Sequence, residues 1–292
     1  MYSQIDSNKR KTLLLISIFI AFILALGYVL DWYYQGGYGI FTMAVFISMV
    51  MSLVSYFSAD KIALASTGAK QIQKEDNPYV YRIVENLCIA SGLPAPKVHI
   101  IDSPALNAFA TGRDPEHASI AMTTGLVSAL ENEELEGVIA HELSHVKNYD
   151  IRFMTVVVVL AGAVALMGDF FFRAHLFGGG RRSNNRQAGG IFMLIGIVFL
   201  ILSPIIAELI KLAISRKREF LADAYGALLT RYPEGLARAL EKIGASHTPL
   251  QTANAATAHL FISNPLKGKK LSGLFSTHPP IEERIKRLRS AT

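Results

Sequence analysis

Apolar and polar positions divide the chain into four stretches. Leu13 to Leu30 and Tyr38 to Ser58 carry no charged residue, and each is about the ~20 residues a helix needs to cross a bilayer. From Gly68 to Asp150 the pattern is that of a water-facing domain. Asn77-Pro78 starts a helix to about Ser91, with Val80, Val84 and Leu87 on one stripe. Val98 to Ile101, Ala108 to Thr111 and Ser119 to Met122 read as short strands between turn residues. Asn132, Glu133 and Glu134 make an acidic start to a helix that runs through His141-Glu142-Leu143-Ser144-His145. Two more apolar runs follow, Phe153 to Met167 and Ile191 to Ile206, around a Gly- and Arg-rich loop at 178–186. After Ala213 the chain turns polar again, with helices starting at Pro233 and after Pro279-Pro280.

Charge orients this pattern. Lys9, Arg10 and Lys11 precede the first run and Lys61, Lys70 and Lys74 follow the second, while the connecting Asp31 to Gly37 has no Lys or Arg and carries Trp32, Tyr33 and Tyr34. Both ends of the first hairpin are therefore expected in the cytoplasm. A cleaved signal peptide is the competing reading, weakened by the second span that follows at once. For the second pair the arguments conflict. Spanning places Arg173, Arg181, Arg182 and Arg186 outside, against the positive-inside rule; the alternative is a hairpin that dips into the bilayer or packs on the first. The reading adopted is that both span. The expected organisation is a transmembrane hairpin at 1–60, a first catalytic part at 61–150, a second apolar hairpin at 151–214 and a second catalytic part at 215–292.

Composition agrees with a membrane protein: 51% hydrophobic and 18% charged residues over 292 positions, with a mean hydropathy of +0.32. The net charge of +6 suits an anionic lipid surface, and no basic patch with interleaved aromatics points to nucleic acid. Cys88 is the only cysteine, which excludes an intrachain disulfide and a multi-cysteine metal site.

The chemistry is concentrated at two places. His141 and His145, four apart on a helix, project from one face and can close on one zinc ion, with Glu142 placed to reach a water at the metal's open position. Such a water has its pKa lowered toward ~7, and Glu142 can take its proton and later deliver it to the leaving amine. A third ligand is needed. Glu219 is the best candidate, with Asp223 four residues on to accept the free ring N–H of a liganding histidine. The alternative is that Glu219 pairs with Arg216, Lys217 and Arg218 on a solvated face.

His-Glu-Leu-Ser-His followed, after an apolar hairpin, by Glu-Phe-Leu-Ala-Asp at 219–223 resembles the HtpX-type membrane metallopeptidases, relatives of the eukaryotic CAAX prenyl endopeptidase. The likeness also covers the amino-terminal hairpin, Asn107-Ala108-Phe109-Ala110 and Ser276-Thr277-His278-Pro279-Pro280. It implies a mostly α integral membrane protein with a small β-sheet and a gluzincin-like core facing the cytoplasm. It implies one Zn2+ held by His141, His145 and Glu219, with Asp223 behind them. It places Asn107, Ala108 and Phe109 by the strand that holds extended substrate, and His278 and Arg284 near the substrate or transition state. The implied activity is endopeptidase cleavage of misfolded or damaged membrane proteins in quality control. Each carried-over position has a plainer reading: an internal strand, a histidine satisfied by a local turn, a surface arginine. His99, His117, His175, His247 and His259 lack ligand spacing and read as structural or exposed; Asp150, after Asn148, could cap or interrupt the zinc helix, and its role stays open.

Three other classes were weighed. A scaffold with a structural zinc needs a fourth His or Cys at suitable spacing, which is missing; a transporter needs intramembrane charge, for which only Asp169 and Glu208 offer themselves. A narrow-specificity peptidase cannot be separated from a broad one by sequence. One last expectation assumes that the zinc helix continues past Asp150: Arg152 and Glu208 would then share the faces of His141 and Glu219 and meet near the bilayer boundary. Pairing of Glu208 with Lys211 is the local alternative.

Overall fold

A computed structural model describes residues 2–178, 216–254, 256–266 and 278–290. The amino-terminal hairpin consists of α1 (Tyr2–Tyr34) and α2 (Gly39–Phe57), both long and apolar enough to cross a membrane. Leu13, Leu14, Phe46 and Met49 point outward and exposed, as lipid-facing side chains do. Asp31 closes the turn, accepting the backbone N–H of Tyr38 at 2.8 Å and of Ile40 at 2.9 Å. Trp32 to Tyr34, expected in the loop, form the last turn of α1.

Helix α3 (Ala59–Thr67) and strand β1 (Lys70–Gln71) follow; the strand is two polar residues long and has no alternation by which to read it. Then come α4 (Pro78–Ser91), β2 (Lys97–Ile101), β3 (Ala108–Gly112), β4 (Ala118–Thr123) and α5 (Thr124–Ala129). The sheet order is β1-β2-β4-β3, with β2 and β4 parallel and the other pairs antiparallel. Strand β3 is thus an edge.

Helix α6 (Asn132–Lys147) opens with a capping box, in which Glu134 accepts the Glu131 N–H at 2.8 Å. From Glu134 to Val146 all but Glu136 are buried, because α6 lies between the sheet, α4, α8 (Arg216–Thr230) and α9 (Pro233–Ala245). Two glycines permit this approach. A Cβ on Gly226 would sit 3.1 Å from the His141 backbone nitrogen, and one on Gly137 would sit 2.7 Å from that of Leu236. The last helix, α10 (Ile281–Ser290), packs on α9. One hydrophobic core runs from Val80 and Val84 through Leu143 to Leu240 and Leu288, so residues before and after the second apolar pair share an interior.

The zinc-motif helix does not continue past Asp150. It ends at Asn148, Tyr149 takes the left-handed conformation (φ 58°), and a new helix α7 (Asp150–Gly178) sets off. The register linking Arg152 to the face of His141 is therefore broken. Arg152 instead donates to the Arg113 carbonyl and lies over the rings of Tyr56 and Tyr149; Glu208, like the run Ile191 to Ile206, lies outside the described residues. At 29 residues α7 outruns its apolar core and measures about 43 Å at ~1.5 Å per residue. Phe153, Val156, Val157 and Leu160 bury themselves against Leu15, Phe19 and Ile23 of α1 and Ala44 of α2.

Gly137→Ala is expected to push α6 off α9 and destabilise the protein by about 1–3 kcal/mol through overpacking, read as a lower thermal midpoint; an unchanged midpoint would mean the backbone contact yields freely.

Candidate metal centre

Helices α6 and α8 cross where their charged residues are most deeply buried. His141 and His145 turn their Nε2 atoms toward each other at 3.3 Å, as their spacing of one helical turn dictates. Glu219 on α8 faces both, with one oxygen 3.8 Å from His141 Nε2 and the other 3.6 Å from His145 Nε2. One donor atom from each residue lies within 4.8 Å of the others. Bonds of ~2.0–2.1 Å in a tetrahedral zinc site place ligand atoms roughly 3.3–3.5 Å apart, so the three donors fit such an ion with little movement. Glu219 is buried, not paired on a solvated face with its basic neighbours.

Both rings are held from behind. His141 Nδ1 lies 2.9 Å from Asp223 Oδ1, as the four-residue spacing from Glu219 suggested. His145 Nδ1 lies 3.1 Å from Asp150 Oδ2. Each carboxylate keeps the ring proton on Nδ1 and turns the Nε2 lone pair inward. Each carboxylate also has its own arginine. Arg284 binds Asp223 through both oxygens, at 2.8 and 2.6 Å, and Arg218 reaches Asp150 Oδ1 at 3.2 Å.

The charge balance points to a cation. Glu142, Asp150, Glu219 and Asp223 are buried together, and Arg218 and Arg284 neutralise two of the four charges. Two remain for a divalent ion, a balance that buried charge requires. The two surplus charges are counted with both histidines neutral, as metal binding requires, and Glu142 ionised. Burial opposes a charge on His145, yet Asp150, Glu219 and Glu142 raise its pKa to about 9. Burial also opposes charge on Glu219 and Asp223. His278, His145 and Arg284 nevertheless hold Glu219 well below its usual range, and Arg284 holds Asp223 at about 2. Glu142 goes the other way: burial lifts it to about 7, against the pull of His145 and of a hydrogen bond from the Ala110 backbone.

The remaining predicted positions fall around this centre. His278 Nδ1 lies 3.0 Å from Glu219 Oε2, and its buried Nε2 has no hydrogen-bond partner among the described residues. Arg284 is 0% exposed and offers no surface to a substrate; beyond Asp223 it donates to the Ile262 carbonyl at 3.1 Å. It is neither a surface arginine nor placed for the expected substrate contact, because its guanidinium is consumed by buried acceptors. The β3 edge is partly taken as well. Asn107 Nδ2 donates to the Ser263 carbonyl at 2.9 Å, the Ala108 carbonyl accepts the Ile262 N–H at 2.9 Å, and Phe109 is buried edge-on against Phe261. In this structure the chain's own segment lies where extended substrate was expected at Asn107, Ala108 and Phe109. Of the other histidines, His259 is buried and meets the Met154 carbonyl through Nε2 at 3.1 Å.

Asp150 and Arg218 stand directly behind His145, and the sequence assigns neither of them a place there. Asp150 sits one turn and a half beyond His145 and reaches back only because the chain reverses its local geometry at Tyr149.

Residues 74–292 match the family model described as peptidase family M48. Over its whole length the chain is 49% identical to a protease HtpX homologue of Caldanaerobacter subterraneus subsp. tengcongensis, covering 98% of that protein. It is 48% identical to the corresponding protein of Thermoanaerobacter pseudethanolicus, again over 100% of this chain and 98% of the relative. Among solved structures, S. mikatae Ste24p superposes with a TM-score of 0.52 at 22% identity, over 99% of this chain and 67% of that one. That likeness supports the fold.

Asp150→Asn keeps the side chain's shape but removes the charge that orients His145. It is expected to weaken zinc binding about 10- to 100-fold, measured by competition with a chromophoric chelator; an unchanged affinity would show that Asp150 does not orient the ligand.

Proposed function

The chain belongs to peptidase family M48, and from that premise we propose how its residues serve a membrane zinc metalloendopeptidase of protein quality control. It is an inner-membrane protein with its catalytic domain on the cytoplasmic side. The observation that carries the reading is the donor set: three protein ligands, His141, His145 and Glu219, with no fourth His, Cys, Asp or Glu joining them among the described residues. A structural zinc is closed by four protein ligands, whereas a catalytic one keeps a position open.

When bound there, zinc supplies the Lewis acid that makes a water nucleophilic near neutral pH. Glu142, next to His141 in sequence and buried beside the same centre, takes the proton of the attacking water and returns it to the leaving amine nitrogen. Burial lifts its pKa to about 7, and the charge of a bound zinc would bring it down toward the carboxylate form that accepts the proton. His278, held to Glu219 through Nδ1 at 3.0 Å, would donate to the oxyanion that forms on the scissile carbonyl through Nε2, which has no partner among the described residues, once both ring nitrogens carry a proton. Asp150 and Asp223 hold the histidine tautomers, and Arg284 and Arg218 hold the aspartates. Extended substrate, the form a misfolded membrane protein presents, would take the β3 edge at Asn107, Ala108 and Phe109 in place of the chain's own Phe261 to Ser263 segment.

Glu142→Gln is expected to retain zinc and lose cleavage of an unfolded membrane-protein substrate in detergent by roughly 10²- to 10⁴-fold. Cleavage at the wild-type rate by this variant would remove Glu142 from the chemistry, and folded wild type that takes up no zinc would remove the reading altogether.

A further inference from the structure

Asn8 lies in the second turn of α1, just before the cations Lys9, Arg10 and Lys11, and nothing in its sequence setting marks it as functional. In the structure it is 3% exposed and its amide lies against the metal centre. Nδ2 donates to the Asn148 carbonyl at 2.9 Å and to Asp150 Oδ1 at 2.7 Å. The amide oxygen faces Arg218, whose Nη1 lies 3.4 Å away. Two acceptors on one side and a donor on the other define which way the amide points.

We propose that Asn8 is a positioning residue for the metal ligand His145, acting through Asp150, so that the first membrane helix completes the metal site. The Asp150 carboxylate has one oxygen turned to His145 Nδ1 at 3.1 Å and the other held by Asn8 and Arg218. Fixing the second oxygen fixes the plane of the carboxylate, and with it the direction of the first. The same amide ties Asn148, the carboxyl-terminal cap of α6, so it also anchors the end of the helix that carries both histidines. Arg218 adjoins Glu219 in sequence, which brings the third ligand's helix into the same network. Asn8 therefore meets the supports of His145 and the helix of Glu219 at one point.

A plainer role would be to dock α1 against the catalytic part. That docking already has its own apolar contacts: Leu15, Phe19 and Ile23 pack on Phe153, Val156 and Leu160. A buried amide adds little to such packing, but it has the geometry to orient a carboxylate. The inference concerns metal binding and is read apart from any cleavage assay.

The test compares full-length wild type with Asn8→Leu, Asn8→Ala and Leu15→Ala in detergent. Zinc affinity is measured by chelator competition, and the metal geometry by the visible absorption of the cobalt-substituted protein. Asn8→Leu fills the same volume without a donor. Both Asn8 variants are expected to bind zinc about tenfold more weakly, the lower end for groups that orient a liganding histidine, with shifted cobalt bands. Leu15→Ala is expected to lower the thermal midpoint and leave zinc affinity and cobalt spectrum at wild-type values. Unchanged zinc affinity in a folded Asn8 variant overturns the proposal, as does an equal loss in Leu15→Ala. So does failure of both Asn8 variants to fold, which would make Asn8 a determinant of the fold itself.

Discussion

Two buried relays hold this protein's site together: His141 to Asp223 to Arg284, and His145 to Asp150 to Arg218. An isolated charge in such a place costs several kcal/mol, so none of the six side chains is tolerable without the next. The requirement reaches well beyond the site. Arg284 brings the final helix into the core, Asp150 follows the break of the chain at Tyr149, and Arg218 and Asn8 meet at Asp150 from α8 and the first membrane helix. The relays converge on the space between two ring nitrogens and one carboxylate, where the unbalanced charge calls for a divalent cation.

Much of this was legible in the sequence because it is local. Four-residue spacings on helices place His141 with His145 and Glu219 with Asp223 through elementary geometry, and the three main strands were marked by their turn residues. The apolar runs announced the membrane helices for the same reason. Neighbourhood across the chain is what escaped. Asp150 could be read as capping or interrupting the zinc helix but not as the partner of His145, since nothing in Lys147-Asn148-Tyr149 tells how the chain turns there. Asn8 meets Asp150 across 142 positions. Arg284 was marked by resemblance as lying near the reaction, but nothing in a charged terminal helix told that it turns inward to zero exposure and binds Asp223.

The membrane part shows the same division. Run lengths disclosed which segments are apolar, but not that Phe153 to Leu160 would bury themselves against α1 and α2. A helix with apolar residues all around looks alike to lipid and to protein. The strand edge is a related case: an Asn-Ala-Phe-Ala segment signals a strand by the site, while the occupant of its free side here, Phe261 to Ser263, comes from far along the chain.

Asn8 and Asp150 both stand at the cytoplasmic ends of apolar helices, and both lie within two hydrogen-bonded steps of a metal ligand. Those hydrogen bonds tie the catalytic centre to the cytoplasmic ends of two apolar helices and so to a height above the hydrocarbon. A polypeptide anchored in the same bilayer can reach the centre only with residues that lie that height from its own point of exit, at ~3.3–3.6 Å per extended residue. For such a substrate the site would act as a ruler, and the length of chain freed from the membrane would decide which bonds come within its reach.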